Sequence, residues 1–266
     1  MILSVAPAGP WALLLALAAL AGYALAAWPG DATNRHAPRL LGLAIVLHAA
    51  LLATEIAGAG PGAVRLGFGP VLSLTVCLVL VVHAFDNRLL PSPRVRRALA
   101  LLGAAAVVLE LLFPGDPRAL GSRWGSLHWV LGVGSYGLFG AAVLHGLMLD
   151  SAERRLRLRK GLTGPFGLPL LQLERLTFLF VKAGFAVLTV AIALGVLTTS
   201  AWRWDHKTVL SLLSWVIFAW LLAGRHWRGW RGQQATRWLY AGVILLQLAY
   251  VGSRFVLEVL LERSAA

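Results

Sequence analysis

Apolar residues along this chain come in long unbroken blocks, and the polar positions between them are short clusters of charge, proline and glycine. The blocks fall at roughly residues 10 to 28, 38 to 57, 69 to 88, 97 to 113, 126 to 149, 174 to 197, 208 to 224 and 236 to 260. Each is close to the ~20 residues an α-helix needs to cross a bilayer. The pattern predicts an all-α fold, a polytopic bundle of about eight transmembrane helices forming a single integral membrane domain over residues 1–266. The fourth block is the shortest and carries Glu110 near its end.

The loop charges orient this bundle. Connections one, three, five and seven hold fifteen Lys and Arg, among them Arg94, Arg96 and Arg97, the run Arg154 to Lys160, and Arg225, Arg228 and Arg231. The even connections and the C-terminal end hold six. Because basic loops stay on the cytoplasmic side, both termini are expected on the periplasmic or outer face of a bacterial inner membrane. The first block has no Lys or Arg before it, so it reads as a retained helix and not a secretory leader.

Composition agrees with lipid as the solvent: 59% of positions are apolar and the mean hydropathy is +0.76. The formal charge of +13 is divided among the loops, without the continuous basic face that nucleic acid requires. Residues 150 to 173 combine SAERRLRLRK with GLTGPFGLPL, and read either as a basic loop against lipid headgroups or as a partner's docking surface.

Cys77 is the only cysteine and lies in an apolar block, which excludes an intrachain disulfide and any CxxC or CxxCH chemistry. No phosphate loop, dinucleotide fingerprint, HExxH, hydrolytic carboxylate pair or nucleophile with a base is present, so conventional enzyme chemistry is not assigned. Histidine is the chemistry that remains. His48 falls midway along the second helix and His128 opens the fifth at the outer face. An imidazole in a membrane needs a partner, either a ligand or an interhelical hydrogen bond. With the two helices antiparallel, the depths of His48 and His128 differ by about two turns, which a tilted macrocycle with axial ligands spans.

The fifth helix, SLHWVLGVGSYGLFGAAVLHG, carries Gly132, Gly134, Gly137 and Gly140, spacing that suits close helix packing or a cleft for a flat ligand. The outer loop TTSAWRWDHKT gathers Trp202, Trp204, Asp205, His206 and Lys207. The indoles read as interfacial anchors or, beside a carboxylate, as a stacking surface for a large aromatic ligand.

The stretch WRWDHKTVLSLLSWVIFA, Trp202 to Ala219, resembles the tryptophan-rich segment of cytochrome c assembly proteins of the CcsA type, keeping Trp202, Trp204, Asp205 and Lys207. With SLHWVLGVGSYGLFGAA (Ser126 to Ala142), GWRG (Gly229 to Gly232), LAYVGSRFVLEVL (Leu248 to Leu260) and His48, the chain is most similar to the short HemX-like members, in particular the YpjD-type inner-membrane proteins. The resemblance implies a haem-binding or haem-handling protein supporting cytochrome c assembly alongside other assembly membrane proteins. His48 and His128 are its candidate iron ligands, and Trp202, Trp204 and Asp205 its candidate haem platform. A second outer histidine expected beyond the last helix is absent from LLERSAA, and one expected near Ala223 is displaced to His226. A regulator or scaffold that binds no haem, and a small-solute permease, are the competing expectations.

Overall fold

A computed structural model describes residues 10–28, 36–57, 63–65, 67–85, 93–114, 117–119, 123–158, 169–198 and 204–252. Trp202, Arg254 and the end of the last apolar block lie outside the described residues. Among the described residues, eight α-helices follow in order: α1 (Pro10–Ala27), α2 (Ala37–Ala57), α3 (Phe68–Phe85), α4 (Pro93–Leu112), α5 (Arg123–Arg157), α6 (Leu170–Thr198), α7 (His206–Arg228) and α8 (Gly232–Gln247). Each apolar block carries one of them. Five of these helices, α1, α2, α5, α6 and α7, are long and apolar enough to cross a membrane, and α3 is apolar but shorter. The first turns of α4 carry Arg94, Arg96 and Arg97, and α8 carries Gln233, Gln234 and Arg237, which lowers the apolarity of both.

Two features depart from the sequence pattern. α5 runs on through SAERRLR to Arg157, past the end of its apolar block, because that segment is made of good helix formers and its last turn places three arginines at the negative end of the helix dipole. A short antiparallel ribbon pairs β1 (Ala63–Arg65) with β2 (Pro117–Ala119), Val64 opposite Arg118. Three-residue strands are too short to leave an alternating signal.

The chain packs as two compact units, one within residues 1–121 and one within 122–253. In the first, α1 packs on α2 and α4, and α3 on α4. The Tyr23 ring lies against Gly103, where an added Cβ would come within 2.5 Å of it. In the second, α5 packs on both α6 and α8, and α7 on α8. Its centre is a parallel stack of Phe139 on Phe218, ring centroids 3.8 Å apart and 9° between planes. Gly184 and Gly242 make room for that stack, since a Cβ at Gly242 would sit 2.6 Å from the Phe218 ring and one at Gly184 3.1 Å from Phe139. Gly132 and Gly134 of α5, expected to admit neighbouring helices, would have nothing within 4 Å of an added Cβ, whereas one at Gly146 of the same helix would lie 3.2 Å from the Tyr240 hydroxyl of α8.

Phe218→Ala is expected to destabilise the protein by about 3–5 kcal/mol through the cavity it leaves, and Gly242→Ala by about 1–3 kcal/mol through overpacking. Thermal unfolding in detergent measures both. Because the two side chains occupy the same space, the double variant should cost less than the two separate losses added together.

Candidate functional site

The second unit contains a cavity of about 400 Å³, within the ~300–1,000 Å³ range of small-molecule sites. Three helical faces wall it by their spacing: His128, Gly132 and Tyr136 on α5, Leu188, Ala191, Ile192 and Gly195 on α6, and Thr208, Ser211 and Leu212 on α7. Residues four or three apart on a helix share one face, so each set projects to the same side. Leu246, Ala249 and Tyr250 close the remaining wall, where α8 widens into a π-helical turn over Leu248–Gly252. Such turns recur at functional sites.

At the mouth, His128 Nδ1 lies 2.7 Å from the Ala191 carbonyl oxygen. A carbonyl only accepts, so Nδ1 carries the proton and donates it, and the lone pair of the neutral ring is on Nε2. The ring rests on Gly195, where an added Cβ would come within 2.9 Å of Cε1. Metal-binding histidines are oriented by this kind of hydrogen bond from the other ring nitrogen. The cradle and the donor therefore fit an imidazole presented to a metal centre. The cavity floor is closed by the Tyr136 hydroxyl, which donates to the Leu246 carbonyl at 2.9 Å.

Asp205 stands at the N-cap of α7 in extended conformation, its Oδ1 accepting from the Thr208 backbone N–H at 2.8 Å. Partial burial pushes its carboxyl up, but the Thr208 hydrogen bonds and the nearby Lys207 and His206 outweigh this and hold it below its ordinary value. Asp205 and Lys207 both line the cavity. Trp204, at 72% exposed, stands outside the lining. Trp202 lies outside the described residues.

His48 belongs to the first unit and has a different environment. It is fully buried, with Tyr23 Oη 2.9 Å from Nδ1 and Ser73 Oγ 2.7 Å from Nε2. The Ser73 hydroxyl donates to Glu110 Oε2 at 2.5 Å, so it accepts from His48 Nε2–H, and Nδ1 in turn accepts from the Tyr23 hydroxyl. Both ring nitrogens have partners, and binding iron through either requires breaking one of these bonds. Among the described residues, no group of three or more His, Cys, Asp or Glu is arranged to hold a metal ion.

The cavity lining includes His128 and Asp205, which the sequence singled out, together with Gly195, Tyr136 and the α6 face, which it did not. The one available signal was an isolated glycine within a helix, and it reads equally as packing.

Comparison with known proteins adds a family. Residues 40–261 match the model of the cytochrome C assembly protein family. The chain is 30% identical to the inner membrane protein YpjD of Escherichia coli over 229 residues, 82% of this chain and 85% of that protein. It is 35% identical over 145 residues, 52% of its length and 53% of the relative's, to an uncharacterized 28.8 kDa protein of Azospirillum brasilense. Over 91 residues, 32% of this chain and 27% of the relative, it is 32% identical to the cytochrome c biogenesis protein CcsA of Gloeobacter violaceus. No solved structure matches.

Asp205→Ala should cost about 1 kcal/mol through loss of the cap. Because the folded-state carboxyl is depressed, its contribution is present above the ordinary carboxylate range and disappears as pH falls through the lowered value. Thermal unfolding followed from neutral to acid pH should therefore show the wild type and the variant converging at low pH.

Proposed function

This chain belongs to the cytochrome c assembly protein family, and we propose that, as an inner-membrane member of it, it binds haem in the cavity below His128 and holds it for cytochrome c assembly. The observation that carries this reading is the one-sided hydrogen bond of His128, which fixes the ring on Gly195 and leaves the Nε2 lone pair for iron. Haem, when bound, supplies a porphyrin-held iron and two carboxylates.

The chain's own residues would do four things. His128 would present its Nε2 nitrogen to the iron. The Val133, Leu188, Ile192 and Leu212 side chains offer apolar walls that keep water from the ring faces. Lys207 places a positive charge at the lining where carboxylates are accommodated. Trp204, immediately before the Asp205 cap of α7, is assigned as aromatic surface beside the mouth. We assign His48 to holding the first unit together through Tyr23, Ser73 and Glu110. We propose eight spans with both termini on the outer face, which sets the α7 N-terminus and the mouth on the side where basic loop residues are scarce.

Absorption spectra of the detergent-purified protein, oxidised and reduced, test this. A Soret band is expected in the wild type, lost in His128→Ala and kept in His48→Gln, which should unfold at lower temperature. Gly195→Val, by displacing the ring, should weaken haem retention about 10–100-fold. A well-folded wild type that is colourless and refuses added haemin removes this reading and leaves a scaffold or regulator that binds no haem.

A further inference from the structure

Resting on the haem reading, we propose that the second unit gives the iron a single imidazole, His128, and leaves the opposite axial position open to an incoming neutral nitrogen ligand. All seven histidines of the chain are among the described residues, so the candidates for a second ligand in this unit are known by position. They are His145, His206 and His226.

His145 is on the same helix as His128, seventeen residues along, which is about 25 Å. Its Nδ1 donates to the Ala141 carbonyl one turn back, and its ring packs on Phe180. His226 is in the last turn of α7, at the end away from the cavity. His206 is the near one. It is exposed and absent from the lining, where α7 presents Thr208, Ser211 and Leu212. A position two residues before Thr208 is rotated by about 200° and faces away. Among the described residues of this unit the one other soft donor, Met148, is buried twenty residues along α5 from His128. Of the two tyrosines that line the cavity, Tyr136 and Tyr250, the first donates its hydroxyl to the Leu246 carbonyl.

The walls also select the incoming ligand. Beside the Val133, Leu188, Ile192 and Leu212 part of the lining an anion must shed its hydration, whereas a neutral imidazole sheds far less. A site with one resident ligand holds haem in a form that a second protein bearing a histidine takes up by ligation. That is what a hand-over site needs.

The experiment uses the full-length protein loaded with haemin in detergent, read by absorption and electron paramagnetic resonance, with free imidazole as the probe. Ferric protein is expected to be high-spin and five-coordinate, to convert saturably to low-spin on adding imidazole, and to bind carbon monoxide when reduced. His206→Ala is expected to leave all three properties unchanged. His128→Gly, or His128→Gln should the glycine variant not fold, is expected to lose haem, and the glycine variant to regain it with imidazole present. A low-spin spectrum before any addition, lost in His206→Ala, overturns the single-ligand proposal while the haem reading stands. Wild type that takes up no haemin overturns the haem reading, and this proposal with it.

Discussion

The hydrogen bond from His128 Nδ1–H to the Ala191 carbonyl is the interaction on which the site depends, and it exists because of a missing side chain. In a helix the carbonyl of residue 191 already accepts from the backbone N–H of residue 195, and the side chain at 195 leans back along the helix over that carbonyl. Glycine at 195 uncovers it. The second lone pair of the oxygen is then reachable from α5, and the imidazole fills the space a Cβ would have taken. One substitution-sensitive position thus ties α5 to α6, chooses the tautomer of His128 and aims its free lone pair.

Membrane interiors punish an unpaired imidazole, and the chain answers that cost in two ways. His48 is satisfied on both nitrogens, in a line of bonds that begins at Tyr23 on α1 and ends at Glu110 on α4. Such a line holds four helices in register, because each member sits on a different one. His128 is satisfied on one nitrogen only and stands at a cavity mouth, where water or a ligand meets the other. As sequence, each histidine is simply a His within a long apolar block. What separates them is the presence of a serine and a tyrosine within reach, which comes from helix packing.

The helical architecture was legible because lipid imposes a length rule: among the described residues each apolar block carries a helix, and five of the eight are long and apolar enough to cross a membrane. The continuation of α5 to Arg157 was not, since SAERRLR has no apolar stretch and is helical by propensity and dipole alone. Within the site, His128 and Asp205 were visible as polar residues at the edges of apolar blocks. Trp204 was visible for the same reason but stands outside the cavity lining, because an N-capping Asp205 turns the chain into α7 right after it. Gly195 was hidden by its chemistry: a glycine signals that something approaches, never what.

The floor of the cavity decides between a binding site and a passage within the second unit. A solute pathway needs polar lining that continues through the layer. Here Tyr136 donates its hydroxyl to the Leu246 carbonyl, and one turn further along α5 the Phe139–Phe218 stack closes the interior with rings pressed against Gly184 and Gly242. Phe139 and Phe218 are fully buried, and the cluster around them includes Val181, Leu221 and Leu239. Opening a route there would part this buried cluster, at a cost of about 3–5 kcal/mol for each large side chain that loses its contacts. The buried cluster below the floor thus separates the cavity from the opposite end of the unit.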